Sequence, residues 1–255
     1  MDPTERFTEI VQRADQDVPL DEAALLIAAH DHGVDVEEQL ARLDELAAGA
    51  PPAADALSTY LFVERGFVGN SVEYSDPRNS LLDEVLDRRL GLPITLSVLM
   101  IEVGRRLGLG LVGIGMPGHF LVRAETGTFF DPFHGGERLD EDGCRERFSA
   151  TQGDAAFLSE YLEPVGSHAI LARMLANLVR SYVLLDPVSA VWAVRLRLRV
   201  PGVSPSERRE AAALLGTLGR FEEAAIELAA IADELDGPAA SRVERDAAAY
   251  RARAN

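Results

Sequence analysis

The sequence predicts an α+β domain followed by an all-helical tail, and two observations support this division. In the first part of the chain, helical apolar patterns precede a cluster of short alternating segments, as in α+β domains. After about Gly153, alanine, leucine and arginine dominate and no strand pattern is secure. We therefore predict a first domain at 1–163 and a helical domain at 164–255, with the boundary near Glu163 and Pro164.

The composition is that of an ordinary soluble protein. Its 255 residues are 47% hydrophobic, enough to bury one large core or two smaller ones. No apolar run approaches the roughly 18 residues that span a bilayer, and the acidic first residues lack the apolar core of a signal peptide. The single cysteine, Cys144, excludes an internal disulfide and a cysteine metal cage. We expect a cytoplasmic protein with no membrane partner.

The charge is strongly acidic, at −17. Such a field repels phosphate backbones, so we expect no nucleic-acid partner. All 25 basic residues are arginine. The absence of lysine excludes Schiff-base chemistry on a lysine and a phosphate-binding P-loop.

Helical patterns fill most of the first 110 residues. Apolar stripes at helical spacing are interrupted by Gly33 and by the pair Pro51-Pro52, and Pro93 suits the first turn of a long apolar helix. Asn79 or Ser80 is predicted to cap the helix before it. The predicted helices lie at 21–48, 54–64, 80–88 and 93–107.

Three strands are predicted next. Glycine alternates with aliphatic residues at 109–115, and two further segments, 119–124 and 128–131, flank the turn 125–127. His119 begins the second strand and Asp131 ends the third, so the predicted hairpin places both on neighbouring strands.

The tail is predicted to consist of helix pairs. The segment 191–200 alternates arginine with aliphatic residues, as a strand would, but its helical surroundings favour a helix. Gly219 and Phe221 match the tight turn of a tetratricopeptide unit. The predicted helices lie at 167–185, 188–199, 205–218, 221–235 and 239–254.

Five motifs now support a family resemblance, and together they cover most of residues 20–150 in order. They are Asp-Pro-Arg-Asn-Ser at 76–80, Arg-Leu-Gly-Leu-Pro-Ile-Thr-Leu at 89–96, Arg-Arg-Leu-Gly at 105–108, Pro-Gly-His-Phe-Leu-Val-Arg at 117–123 and Asp-Pro-Phe at 131–133. The chain resembles the SirB-type transglutaminase-like family of bacteria, in which a transglutaminase-like domain precedes a tetratricopeptide-like tail. The resemblance implies a papain-like α+β core.

The resemblance also implies a catalytic frame with one member missing. Active members of the wider superfamily carry a cysteine at the start of the central helix, whose dipole lowers the thiol pKa, together with a strand histidine and a strand aspartate. His119 and Asp131 stand at the last two positions. The nucleophile is expected between Pro93 and Thr95, where this chain has no cysteine. His119 and Asp131 are therefore either a retained base with its orienting carboxylate or a buried structural pair.

Other residues can be considered as substitute nucleophiles. Thr95 and Ser97 carry hydroxyl groups, but such groups inside helices commonly bond back to a carbonyl. Cys144 follows the histidine and aspartate along the chain and lies in an acidic segment that should raise its pKa.

Asp76, Arg78 and Asn79, together with Thr95, are the candidate ligand-binding or partner-binding residues. The alternative for the first three is a capped turn with an ion pair. No metal or cofactor is predicted, because two histidines two residues apart do not share a helical face. The remaining polar candidates are interpreted as loop or solvated side chains, with His134 able to approach the cleft of His119: His30, His32, His134, Arg195, Arg197 and Arg199.

Two functions follow as hypotheses. The first is a non-catalytic regulatory or protein-interaction module that binds a protein or peptide through its helical tail. The second is an amide hydrolase or acyl transferase that uses His119 and Asp131 with a non-standard nucleophile. The vacant cysteine position favours the first, and the sequence indicates neither the partner nor the oligomeric state.

Overall fold

A computed structural model describes residues 2–254. Its N-terminal part is a layer of helices around a common apolar core. Asp2 and Asp35 begin two of them, because each carboxylate accepts a backbone N–H of the first turn. The predicted break at Gly33 is present, and the helix after Pro51-Pro52 continues into a π-helical turn at Tyr60–Glu64. The helices are α1 (Pro3–Val11), α2 (Leu20–Asp31), α3 (Val36–Ala48) and α4 (Ala54–Thr59).

The centre of the domain is α6 (Pro93–Arg106), which is buried over most of its length. It follows α5 (Leu82–Arg88), and a short parallel pair, β1 (Val68–Gly69) with β2 (Leu90–Gly91), lies at its start. Pro93 occupies the first turn of α6, as predicted.

A five-stranded antiparallel sheet packs against this core. Its order is β6-β5-β4-β3-β7, and the register pairs Gly113 with Val122 and Val122 with Phe130. Strands β3, β4 and β5 confirm the three predicted strands, whereas the two edge strands were not predicted. The strands are β3 (Leu111–Ile114), β4 (Leu121–Ala124), β5 (Phe129–Asp131), β6 (Glu137–Leu139) and β7 (Pro164–Val165).

A second apolar cluster covers the other face of the sheet. Helix α7 (Glu141–Gln152), also absent from the sequence prediction, packs Cys144 and Phe148 against Leu121 and Phe129. The sheet is thus buried on both faces, and the ends of β4 and β5 lie between α6 and α7.

Between Ser167 and Ala254 every regular element is a helix, and the helix Ala190–Arg197 covers most of the segment whose alternation imitates a strand. The first helix of the tail, α8, belongs to the main core through Ile170, Leu171 and Met174, while α10–α12 have smaller apolar clusters of their own. Gly219 makes the predicted turn with a positive φ of 76°. The division after residue 163 and the tetratricopeptide-like character remain predictions. The helices are α8 (Ser167–Leu185), α9 (Ala190–Arg197), α10 (Pro205–Thr217), α11 (Phe221–Asp233) and α12 (Gly237–Ala254).

Among residues 2–254, no helix combines the length and apolar character that crossing a bilayer requires.

Candidate functional site

The site lies where β4 begins and β5 ends. Met116 accepts the backbone N–H of His119 at 3.1 Å, which closes a turn with Pro117 and Gly118 at its centre. Gly118 has a positive φ of 75°, the conformation that the third position of a type II turn requires. The Pro-Gly-His motif is therefore a turn that delivers the His119 side chain to the end of β5.

His119 and Asp131 meet, as their places in the sequence predicted. The separation between His119 Nε2 and Asp131 Oδ1 is 2.9 Å, and both side chains are buried, at 5% and 0% exposure. The ring does not direct its N–H at the oxygen, so Nε2 has no in-line hydrogen bond. The pair is thus a close electrostatic contact with an imperfect hydrogen-bond direction.

Asp131 contacts two further residues besides His119. His134 contacts the carboxylate twice, through its backbone N–H to Oδ1 at 3.3 Å and its Nδ1 to Oδ2 at 2.7 Å. Arg147 Nε lies 3.0 Å from Oδ2. Burial raises the pKa of Asp131, but the contacts with His119 and His134 outweigh burial and hold the pKa below its ordinary value. Asp131 is therefore a stable buried carboxylate.

The hydroxyl groups at the start of α6 are occupied by the backbone. Thr95 Oγ1 accepts the Leu92 N–H at 2.9 Å and donates to the Asn79 carbonyl at 2.7 Å. Ser97 Oγ donates to the Pro93 carbonyl at 2.7 Å. Both residues are buried. Neither hydroxyl lies next to a base, so both form the backbone hydrogen bonds that are common for such groups inside helices.

Cys144 is also not an activated nucleophile. It is fully buried on α7. Burial raises the pKa of its thiol to about 12, and the nearby carboxylates, Asp140 first, add to the effect. The thiol stays protonated near neutral pH, which agrees with the non-catalytic interpretation of its acidic surroundings.

The cluster at 76–79 is a capped turn with an ion pair. Asp76 Oδ1 accepts the Arg78 N–H at 3.0 Å, and its carboxylate pairs with the Arg78 and Arg88 guanidinium groups at 2.7 and 3.2 Å. The predicted cap at Asn79 or Ser80 is wrong, since Asp76 caps this turn and α5 begins without a side-chain cap.

Asn79 is instead a buried link between segments. Its Nδ2 donates to the Glu73 carbonyl at 2.7 Å, and its Oδ1 accepts from Asn70 at 3.1 Å. Its carbonyl accepts from Leu92 N–H at 3.2 Å and from Thr95. The structure thus joins Asn79 and Thr95 in one network that fixes the start of α6, while their ligand-binding role remains a prediction.

Two arginines of the site were missed by the sequence analysis. Arg147 comes from the unpredicted α7. Arg173 on α8 donates to the carbonyls of His119 and Met116 at 2.8 and 3.1 Å. Burial lowers the pKa of Arg173, whose guanidinium also lies over Phe120. Neither contact has a sequence signal, because each joins segments distant along the chain.

The remaining sequence candidates lie elsewhere. The two ring nitrogens of His30 contact the Leu26 carbonyl and Thr4, while those of His32 contact Asp31 and Asp83. These side chains do not converge on one point. The arginines of α9 and its C-terminal end make contacts of their own: Arg195 with Glu223, Arg197 with Glu207, and Arg199 with Thr8.

Comparison with known proteins assigns this frame to a family. The model of the transglutaminase-like superfamily matches residues 8–176. A UPF0162 protein of Xylella fastidiosa is 40% identical over 188 residues, 66% of each chain. UPF0162 protein PA3419 of Pseudomonas aeruginosa is 35% identical over 191 residues, 70% of this chain and 69% of the relative.

Part of a longer protein is also similar to this chain, at lower identity. F-box only protein 21 of Homo sapiens is 32% identical over 136 residues, which are 49% of this chain but only 21% of that protein. No solved structure matches this chain. The alignments with the bacterial relatives leave about a third of their length unmatched, since 66% of the Xylella protein is covered.

Proposed function

The chain belongs to the transglutaminase-like superfamily, and on that premise we propose that it is a non-catalytic, regulatory or protein-interaction member. One observation carries the proposal. The hydroxyl groups at the start of α6, where the family frame requires a nucleophile, are both bound to the backbone. A nucleophile must instead lie within hydrogen-bond reach of its base.

The charge arrangement around Asp131 supports the same proposal. A carboxylate that orients a catalytic histidine needs an in-line hydrogen bond to the ring. Here Asp131 is shared among His119, His134 and Arg147, and the His119 ring is not aligned with it. The carboxylate therefore ties three segments together, which is the work of a structural buried network.

The partner surface is proposed on the tail. A groove of about 650 Å³ runs between α9, α10 and α11 and the N-terminal helices, and Trp192 and Ile226 supply apolar surface there. Ile226 is 62% exposed. Three arginines line the same groove, where Arg195 and Arg220 pair with Glu223 and Arg199 contacts Thr8. A peptide that offers apolar side chains and one acidic side chain toward Arg199 matches this combination.

The catalytic alternative is tested by turnover. Purified wild type and His119→Ala are compared on amide and ester substrates, with circular dichroism to confirm that both are folded. We expect no turnover that depends on His119. Hydrolysis or acyl transfer by the wild type that disappears in His119→Ala would refute the non-catalytic proposal.

The interaction is tested by matched substitutions. The bait carries a tag on its N-terminal amine, which is the single amine available to amine-reactive labels in a chain without lysine. Ile226→Asp alters the groove, and Leu184→Asp alters another exposed apolar side chain, 69% accessible, outside it. We expect a purified partner to bind the wild type and the Leu184 variant but not the Ile226 variant. If every partner binds all three proteins equally, the groove is not the binding surface.

A further inference from the structure

His119, Asp131 and His134 bring three metal-ligand side chains to one point. One ligand atom from each lies within 4.8 Å of the other two. The residues come from the turn before β4, the end of β5 and the short turn that follows β5. We propose that these three side chains form a binding site for a zinc-type divalent metal ion, independently of the proposed interaction function.

The donor set suits such an ion. Imidazole nitrogen and carboxylate oxygen are the usual zinc ligands apart from cysteine, with bonds of about 2.0–2.2 Å. In a tetrahedral shell with such bonds, neighbouring ligand atoms lie about 3.3–3.6 Å apart. His119 Nε2 is 2.9 Å from Asp131 Oδ1, and His134 Nδ1 is 2.7 Å from Oδ2, so each contact must lengthen by roughly 0.5 Å. Small side-chain movements therefore convert these contacts into a coordination shell.

A second, independent observation is the unpaired nitrogen of His119. Nε2 is buried and makes no hydrogen bond, although the side chain is only 5% exposed. Leaving a buried polar group without a partner destabilises the fold. Coordination of a cation satisfies this nitrogen without requiring the in-line approach to Asp131 that the ring orientation lacks.

Access comes from the solvent side. His134 is 44% exposed, so an ion reaches the buried carboxylate past its ring. Since the cluster supplies three protein ligands among the described residues, water completes the coordination. The ion then links the turn before β4, the end of β5 and the turn at His134, which adds a cross-link to segments that the β4–β5 pairing already holds close together.

Arg147 limits the affinity of the site. Its guanidinium lies 3.0 Å from Asp131 Oδ2 and therefore competes with a cation for the carboxylate. Glu137, which also pairs with Arg147, compensates part of that charge. Removal of the Arg147 charge should therefore tighten metal binding at this site. Metal bound to a surface histidine elsewhere would not respond to this change.

The test uses the untagged full chain after chelator treatment. Co²⁺ titration monitors visible d–d absorption, and calorimetry with Zn²⁺ counts the sites. We expect one ion per chain. The variant His134→Asn should lose at least the 10–100-fold in affinity that loss of an outer-shell partner costs, and Arg147→Gln should gain affinity. His119→Gln repeats the test at the buried ligand.

The matched control is His32→Asn. His32 contacts two carboxylates through opposite ring nitrogens, so it cannot hold both on one ion. Thermal unfolding without metal establishes that each variant is folded. The proposal is overturned if no stoichiometric binding occurs, or if His134→Asn and His32→Asn weaken binding equally. These measurements do not involve a partner or a turnover assay, so their outcome is separate from that of the proposed function.

Discussion

Glu102 offers the sharpest test of the electrostatics in the core. It lies on α6 with 3% exposure and shares two arginines with the buried Asp21. Arg105 Nε is 2.8 Å from its carboxylate, and Arg106 Nη1 is 3.5 Å away. Burial, followed by the charge of Asp21, raises the pKa of Glu102 to about 7 despite both arginines.

The substitution Glu102→Gln replaces this group by a neutral one of the same shape. The pKa rises from 4.5 to about 7 on folding, and each pKa unit corresponds to 1.36 kcal/mol, so the ionised group costs about 3 kcal/mol. Between pH 4.5 and 7 the folded state therefore binds more protons than the unfolded state. The stabilisation that protonated Glu102 contributes to the free energy of unfolding is complete below about pH 4.5. It is lost as the pH rises through 7.

We therefore expect the stability of Glu102→Gln relative to wild type to increase between about pH 5 and pH 8 by up to about 3 kcal/mol. Urea unfolding followed by circular dichroism at several pH values measures this difference. Glu146→Gln, an exposed substitution on α7, is the control and should show no such trend. A stability difference between Glu102→Gln and wild type that is constant or shrinks with pH would refute the argument from burial.

Three further predictions concern single side chains. Thr95→Val should destabilise the fold by about 0.5–1.5 kcal/mol in urea for each of the two hydrogen bonds that Thr95 Oγ1 makes, while the Leu92 N–H keeps its bond to the Asn79 carbonyl; an unchanged midpoint would contradict the network. Gly118→Ala should cost at least about 1–2 kcal/mol, because φ is 75° and its Cβ would crowd the side chains of Gln152 and Thr151; a stable variant would show that the turn adapts. Cys144 should not react with a disulfide reagent at neutral pH until the protein is unfolded, and rapid labelling of the native protein would contradict its burial and raised pKa.

Much of the fold was accessible from local patterns. Apolar residues at helical spacing gave the long helices, and the predicted bounds of α8 agree with the structure. Short alternating and apolar segments next to glycine predicted β3, β4 and β5. The strands β1, β2 and β7 have two residues each, too few for any period to be read, and β6 was missed because Leu139 is its one apolar residue and its other two residues are exposed. Helix α7 was missed because its sequence is largely polar and only Cys144 and Phe148 are buried.

The approach of His119 to Asp131 was also predictable, since a hairpin of known strand order places the two together. The functions of Thr95, Ser97 and Asn79 were not predictable from the sequence. Hydroxyl and amide groups can form hydrogen bonds with either the backbone or a ligand, and the sequence does not show which. Only the positions of the Leu92 N–H, the Pro93 carbonyl and the Glu73 carbonyl decide between these uses.

The sequence by itself determined that this chain has the transglutaminase-like frame and lacks the cysteine of that frame, since both are matters of residue identity and order. The tertiary structure alone decided that Asp131 is shared with His134 and Arg147, and that Arg173 holds the His119 carbonyl. The local sequence pattern indicates on which face of a helix or strand a residue lies. Packing between distant segments determines which charged groups and hydrogen-bond donors come into contact, and the chemistry of the site depends on these contacts.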